Sequence, residues 1–372
     1  MMDADLGRVP GAVLAAGVLQ HAGGPLIEQR ALVRGTAVAP RADRRVLAVT
    51  GEDRLSWLDS VTSQALTRLE PGRSTELLVL DPQGRVEHAA AVLDDGETTW
   101  LIVDRDDADA LLAWLLRMRF RLRVAPRDAS DELAVVGVTD AGLGLVVPAA
   151  PHEVPLVWKD PWPEIGPGGV GYAPEADHPG YAVRWNEVLV TEAELQRLID
   201  AAVSGELALA GAMAVEALRV AAWRPRWSAE VDERTIPHEL DWMRTAVHMD
   251  KGCYRGQETV AKVHNLGHPP RRVIALQLDG SDDILPAPGD PLRVGEAEIG
   301  RITSVARHHE DGPIALAVVK RSAALDGDGL VVSTAEGDVT ATATTVVPPD
   351  AGAAAAVPRM PRLSRRPAAT RP

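Results

Sequence analysis

The sequence predicts an α+β protein of mixed sheets with packed helices, followed by a small antiparallel β-barrel. Two observations support this prediction. Between residues 44 and 138, the runs follow the order strand, helix, three strands, helix, strand, which is typical of a ferredoxin-like unit. Between residues 270 and 347, short apolar runs alternate with Gly and Pro turns, which is typical of a small barrel.

The elements of the first unit follow from local patterns. Residues 44–50 predict a strand, and Thr50 is placed to cap a helix in which Leu55, Leu58 and Val61 repeat at three-residue spacing. Turn residues then separate three further strands and a helix. We expect these at 76–80, 85–93, 98–103 and 106–116.

The stretch 117–124 alternates arginines with apolar residues, and this period of two predicts a strand with one charged face. The arginines are Arg117, Arg119, Arg121 and Arg123. Such a face is either simply solvated or a site for phosphate or carboxylate groups, and it makes an RNA-binding module one functional hypothesis.

The second half of the N-terminal region is less regular at first. Residues 139–180 are rich in Pro and Gly, and we expect an irregular connection there. A strand at 184–190 precedes a capping box, Thr191 to Glu194, and a second helix is expected at 207–222. The expected organisation is an N-terminal region, a barrel and a disordered basic tail, at 14–265, 270–347 and 348–372.

The composition of the chain argues against several classes of protein. A formal charge of −14 argues against a protein that coats nucleic acid non-specifically. A single cysteine excludes an internal disulfide and fits a reducing compartment. The apolar run 11–19 lacks a basic start and is a poor signal peptide, and no run approaches the ~20 apolar residues that cross a bilayer. We expect a cytoplasmic protein with no membrane or DNA partner.

The chemistry concentrates in the stretch 251–258, Lys-Gly-Cys-Tyr-Arg-Gly-Gln-Glu, which holds the one cysteine. Neighbouring cations lower a thiol pKa, so Cys253 between Lys251 and Arg255 has the setting of a nucleophile, redox centre or metal ligand. Gly252 and Gly256 leave the backbone open to a ligand. The alternative is a small buried thiol in a turn.

This octapeptide, with Thr-Ile-Pro-His-Glu at 235–239 and Gly-His-Pro-Pro-Arg-Arg at 267–272, resembles the signature of the YgfZ-type folate-binding proteins. These are relatives of the glycine-cleavage aminomethyltransferase, the T-protein or GcvT. The resemblance implies the aminomethyltransferase fold, a ring-like molecule with tetrahydrofolate in a central channel and the cysteine loop near its mouth. It also implies partners among iron–sulfur enzymes or assembly proteins, including those that thiolate tRNA. A tRNA would then be an indirect partner, through such an enzyme.

A reduced pterin needs a carboxylate for its aminopyrimidine N–H groups and an aromatic wall, while the folate glutamate needs cations. Candidate walls are Trp223, Trp227 and Trp242, with Arg224 and Arg226 as carboxylate binders. Glu239 or Glu258 is placed to meet the pterin edge, or else to fix the loop. The remaining folate-binding candidates come from the signature itself: Gly252, Tyr254, Gly256 and Gln257.

One segment departs from the transferases, which carry a Gly-Gly-Ile-Ile-Asp-Asp type sequence. The matching stretch is Gln-Gly-Arg-Val-Glu-His at 83–88, so Glu87 and His88 stand where the aspartates are expected. We therefore expect an accessory role with Cys253 as reactive thiol, and aminomethyl or one-carbon transfer remains the competing hypothesis. No resident metal site is expected, because a lone cysteine cannot hold an iron–sulfur cluster and the histidine spacings do not indicate zinc.

Overall fold

The computed structural model describes residues 5–176, 178–325 and 329–355. Within these ranges the strands form a two-stranded ribbon, two five-stranded sheets and a closed six-stranded barrel. The α+β prediction is confirmed by this arrangement. The ribbon is formed by β1 (Ala12–Ala15) and β2 (Val18–Ala22), and it leads into helix α1 (Pro25–Val33).

The first sheet has the predicted element order, strand, helix, three strands, helix, strand, except that the last strand lies at 125–128 and not at 117–124. Its strands pair antiparallel in the spatial order β5-β6-β7-β4-β8, and two helices cover one face. The elements are β4 (Arg44–Thr50), α2 (Arg54–Val61), β5 (Ser74–Leu80), β6 (Val86–Asp94), β7 (Thr98–Asp104), α3 (Ala108–Met118) and β8 (Ala125–Asp128). The helix-side core includes Leu47, Trp57 and Leu111, each at most 2% exposed.

The predicted arginine strand at 117–124 is wrong. Helix α3 continues to Met118, whose carbonyl accepts a hydrogen bond from Trp57 Nε1 at 3.0 Å, and residues 119–123 form a turn. The turn is held on the start of α2, because Asp53 accepts from the Arg123 backbone N–H at 2.9 Å. The arginines are exposed, but they do not line one face of a sheet, so the RNA-binding hypothesis loses its premise.

The second sheet is mixed, with the order β10-β11-β9-β3-β12 and a parallel pairing between its last two strands. Its strands are β3 (Ala37–Pro40), β9 (Ala134–Thr139), β10 (Val157–Lys159), β11 (Trp185–Val190) and β12 (Ala208–Leu209). One face packs against the first sheet, with Val135 and Leu189 meeting Val46 and Ile102. The stretch 139–180 therefore contributes a paired strand, β10.

Helices close the outer side of the second sheet. They are α4 (Glu192–Ser204) and α5 (Ala212–Ala221). The predicted capping box is confirmed at its first bond, since the Glu194 N–H donates to Thr191 Oγ1 at 3.3 Å. Helix α5 begins later than predicted, at Ala212, because Ala208 and Leu209 form a short strand and Gly211 is the N-cap of the helix.

The C-terminal part is the predicted antiparallel barrel, closed in the order β13-β16-β15-β14-β17-β18. Two helices precede it, α6 (Trp227–Glu230) and α7 (Gln257–Leu266). The barrel strands are β13 (Arg271–Leu278), β14 (Pro291–Val294), β15 (Ala297–His308), β16 (Gly312–Lys320), β17 (Leu330–Ser333) and β18 (Asp338–Thr345). Their inward side chains form a core of their own.

One core joins the barrel to the first sheet and to the signature loop. It contains Leu78 and Leu80 of β5, Leu316 of β16, Trp242, and Tyr254 of the signature. Beyond the barrel, residues 348–355 contact the rest of the fold: Ala351 is 5% exposed, and Ala354 N donates to His264 O at 2.9 Å, at the end of α7. The rest of the predicted disordered tail, 356–372, lies outside the described residues.

Candidate functional site: the cysteine loop and the tryptophan-lined cavity

The signature forms a loop over residues 251–256 and then enters helix α7. Cys253 is exposed, whereas the next residue, Tyr254, is 8% exposed and packs in the core shared with the barrel. The buried Tyr254 side chain holds the loop in place, and the Cys253 side chain before it points to solvent. The exposed thiol meets the first requirement of a reactive cysteine, which is access.

Lys251 lies before the thiol but its side chain turns inward and is 2% exposed. Its ammonium donates to three backbone carbonyls, those of Asp59, Thr62 at 2.8 Å and Gln64 at 2.7 Å. The Asp59 carboxylate is 3.6 Å away. Burial lowers the pKa of Lys251 to about 8, against the attraction of Asp59. The predicted thiolate-stabilising cation is thus directed to the end of helix α2.

Arg255 lies on the other side of the thiol and also binds elsewhere. Its guanidinium donates to the Glu87 carboxylate of strand β6 at 2.8 Å. The backbone carbonyl of the same Glu87 accepts from Trp227 Nε1 at 2.9 Å. Glu87 therefore connects the cysteine loop to Trp227, a wall of the cavity described below.

The glycines of the loop have different surroundings. Gly256 has φ +83°, and a Cβ there would lie 2.6 Å from the Asp81 carbonyl oxygen, so glycine permits close approach to the turn 81–84. Around Gly252 there is open space, since no heavy atom lies within 4 Å of a Cβ built there. Gln257 closes the loop by donating to the Lys251 carbonyl at 3.4 Å, and Glu258 is exposed in the first turn of α7.

A cavity of about 120 Å³, open to solvent, lies between the two five-stranded sheets and helix α5. Five of the nine tryptophans line it: Trp158, Trp162, Trp185, Trp227 and Trp242. Trp242 is 3% exposed, and its Nε1–H has no partner in the described chain. An aromatic wall with a free donor suits a flat heterocyclic ligand.

Charged groups also line the cavity, as five arginines and six carboxylates that pair with one another. Arg224 binds Glu76 at 2.6 Å and Asp160 at 3.1 Å. Arg226 binds Asp43 at 2.8 Å and Asp104 at 3.2 Å. The other pairs are Arg41 with Asp43 and Glu187, Arg44 with Asp104 and Glu187, and Arg219 with Glu216. The wall thus carries one more carboxylate than guanidinium.

Burial and neighbouring charges shift the pKa values of two of these carboxylates in opposite directions. Burial and the neighbouring Glu76 raise the pKa of Asp160 to about 6, although Arg224 opposes the shift. The pKa of Asp104 is held well below its usual range by Arg44 and Arg226, which outweigh its burial. Asp160 is therefore a cavity carboxylate whose protonation changes near pH 6.

Seven of the sequence-predicted folate residues lie apart from this cavity's lining, namely Trp223, Glu239 and the signature residues Gly252, Tyr254, Gly256, Gln257 and Glu258. Trp223 has φ +57° and packs edge-on against His178, with ring centroids 5.8 Å apart. Glu239 is fully buried and binds Arg271 of the barrel at 2.8 Å. Trp227, Trp242, Arg224 and Arg226 do line the cavity.

Sequence reasoning missed Trp158, Trp162, Trp185, Glu76 and Asp160, all of which line the cavity. The unusual number of tryptophans was the available signal, since large aromatic residues are costly to place without a ligand or core to contact.

The transferase-related positions have their own partners. His88 Nδ1 lies 2.6 Å from the Asp107 carboxylate, and burial raises the pKa of Asp107. Among the described residues, no group of three or more His, Cys, Asp or Glu side chains is placed to hold a metal ion. In the same part of the chain, no helix has both the length and the apolar character to span a membrane.

Comparison with known proteins agrees with this architecture. Residues 271–349 match the glycine cleavage T-protein C-terminal barrel domain. The crystal structure of the glycine cleavage system aminomethyltransferase T from Bartonella henselae superposes with a TM-score of 0.68 at 16% identity, over 91% of this chain and 94% of that one. The chain has the aminomethyltransferase fold.

Curated relatives with sequence similarity include two kinds of protein. An aminomethyltransferase of Rippkaea orientalis is 25% identical over 302 residues, which are 77% of this chain and 78% of that protein. An iron–sulfur cluster assembly factor, the mitochondrial IBA57 homolog of Mycosarcoma maydis, is 26% identical over 247 residues, 63% of this chain and 55% of that protein. The aminomethyltransferase fold and its barrel are therefore confirmed, as the signature predicted.

Proposed function

We propose that this protein is a tetrahydrofolate-binding accessory factor for the assembly or repair of iron–sulfur enzymes, including those that thiolate tRNA, and that Cys253 is its working group. One observation carries the proposal. The sole cysteine is exposed on a loop anchored at both ends, and one anchor, Glu87, also contacts the wall of the cavity. The loop that carries the thiol and the wall of the cavity are thereby connected through Glu87.

The cavity supports a pterin as ligand. Tryptophan walls suit the flat ring, and a wall with excess carboxylate suits the N–H donors of its aminopyrimidine edge. Because the guanidinium groups of Arg224 and Arg226 already bind protein carboxylates, their proposed task is to order those acceptors. The negatively charged glutamate of the folate then lies toward the opening to solvent.

The exposed thiol supports transient chemistry with a partner. One cysteine supplies one ligand, whereas iron–sulfur clusters typically take four thiolates. A cluster passing through this protein as cargo would therefore need its other ligands from a partner protein or from a small thiol such as glutathione. The similarity to an iron–sulfur cluster assembly factor supports this class of partner, and a cytoplasmic site of action is part of the proposal.

The test is a Cys253→Ala variant assayed for support of a radical tRNA methylthiolase in cells lacking the wild-type protein. We expect loss of that support with unchanged tetrahydrofolate affinity, since the thiol is outside the cavity lining. Full retention of support would remove the thiol from the mechanism. Turnover of an aminomethyl-lipoyl carrier protein by the purified protein would instead establish the transferase hypothesis.

A further inference from the structure

The carbonyls that Lys251 binds belong to the end of helix α2. Asp59 is in its last turn, and Thr62 and Gln64 follow directly. The last carbonyls of a helix lack intrahelical partners, and a cation is favoured there by the helix dipole. The Tyr254 ring covers the ammonium from another side, with its centroid 5.3 Å from Nζ.

We propose that Lys251 is a positioning residue, which ties the cysteine loop to the end of α2 so that the loop and residues 59–66 open only together. The proposal deepens the proposed function, since it concerns how the working thiol is presented. It replaces the sequence-based prediction that Lys251 stabilises a thiolate.

Counting protons separates the two roles. An ammonium has three N–H donors, and three backbone carbonyls accept from Lys251. All three donors are therefore used in anchoring, and none remains for a hydrogen bond to the sulfur. The Lys251 side chain is 2% exposed, so its carbonyl partners are bound at a buried site. Rotation of the ammonium toward the thiol would leave these three carbonyls without their hydrogen-bond donor, which is unfavourable.

Neighbouring bonds make the same connection. Gln64 Nε2 donates to Thr245 O at 2.7 Å, and His248 N donates to Ser63 O at 3.0 Å. The segment before the thiol is thus joined to 59–66 at several points, with Lys251 as the last of them. After the thiol, Arg255 anchors the chain to Glu87. Gly252 and Cys253 form the free apex between these anchors.

A first experiment uses the wild-type protein and its four lysines. The protein is treated with a water-soluble acetylating ester, and the modification rate of each lysine is followed by mass spectrometry. We expect Lys251 to react at least about tenfold more slowly than the three exposed lysines, because reaction requires the loop to open. These are Lys159, Lys262 and Lys320. Reaction of Lys251 at the same rate would overturn the proposal.

A second experiment compares Lys251→Met with the control Lys262→Met, at an exposed position of α7. Hydrogen exchange of the peptides covering 59–66 and 245–256 should rise about tenfold in Lys251→Met and stay unchanged in the control. The pH midpoint of Cys253 alkylation by iodoacetamide should move by less than about 0.3 of a unit in both variants.

A midpoint raised by about one unit or more, with unchanged exchange, would contradict the proposal and make Lys251 the counterion of the thiol. If Lys251→Met does not fold, the wild-type acetylation rates decide the question. All three readouts use the isolated protein without folate or client. A protein that binds no folate would overturn the proposed function while leaving these readouts intact.

Discussion

The cysteine loop and the tryptophan-lined cavity both concentrate charge, but they use it differently. In the cavity, arginines bind carboxylate side chains, and Arg224 with Glu76 and Asp160 is typical. In the loop, Lys251 binds backbone carbonyls, and Arg255 binds a carboxylate on a neighbouring strand. The cavity cations thus order the carboxylates of the cavity wall, while the loop cations hold the chain and leave the sulfur exposed. Cations beside a cysteine in sequence are therefore a poor guide to what contacts its thiol.

The largest expected effect comes from removing a cavity cation. Arg224→Met leaves Glu76 and Asp160 buried without their guanidinium, which typically destabilises a protein by about 3–5 kcal/mol. Urea denaturation measures the change in the free energy of unfolding. The control is Arg184→Met, which removes an exposed pair with Glu164 and should cost less than about 1 kcal/mol. Equal effects would show that the cavity network is no more tightly coupled than a surface pair.

Asp160 provides the pH test of the same network. Its pKa in the folded protein, about 6, lies above the unfolded value of 3.8, so folding disfavours its charged form. Its cost to stability is absent at low pH, grows as pH rises from about 4 to about 6, and is then constant. Relative to Asp160→Asn, the wild type should lose about 2–3 kcal/mol of stability between pH 4 and pH 7. Urea titrations at several pH values measure this difference, and no change would contradict the assignment.

The loop has its own steric test. Gly256→Ala places a Cβ 2.6 Å from the Asp81 carbonyl oxygen at φ +83°, and we expect a loss of about 2–3 kcal/mol. Gly17 is a matched control, because it has φ +79° and open space around it. Gly17→Ala should therefore cost only the backbone strain, about 1 kcal/mol. Thermal and urea unfolding of both variants measure the two losses of stability. Equal losses would mean that the turn 81–84 moves away from the added Cβ at little cost in free energy.

The smallest effect is expected at the thiol. Cys253→Ser changes an exposed side chain at the free apex of the loop, so the free energy of unfolding should change by less than about 0.5 kcal/mol. Urea denaturation beside the wild type provides the measurement. A larger loss would show that the sulfur is a packing element, as in the alternative of a buried thiol.

Local patterns in the sequence were sufficient for most of the fold. The antiparallel barrel, the order of elements in the first sheet and the capping box at Thr191 depend on short-range signals, namely turns, alternation and caps. The arginine strand failed because period-two alternation also fits the last turn of a helix followed by a tight turn. What decided between them was a tertiary contact, Trp57 with Met118.

The site was less accessible to sequence reasoning. Local composition left an exposed and a buried cysteine as alternatives, and the structure shows the exposed one. The partner of Lys251 is the segment 59–64, far away in the chain. Likewise, Arg224 is predicted to bind a folate carboxylate, but its guanidinium binds Glu76 and Asp160, which come from two different strand regions. Pairings of this kind depend on topology, which no short motif encodes.

The most direct test of the account is a tetrahydrofolate titration followed by tryptophan fluorescence under anaerobic conditions. Five tryptophans line the cavity, so we expect a saturable change in emission for the wild type and for Cys253→Ala with equal affinity. We also expect an affinity at least about tenfold weaker for Trp227→Ala, which removes an aromatic wall. The absence of saturable binding to the wild type, or unchanged affinity in Trp227→Ala, would contradict the account.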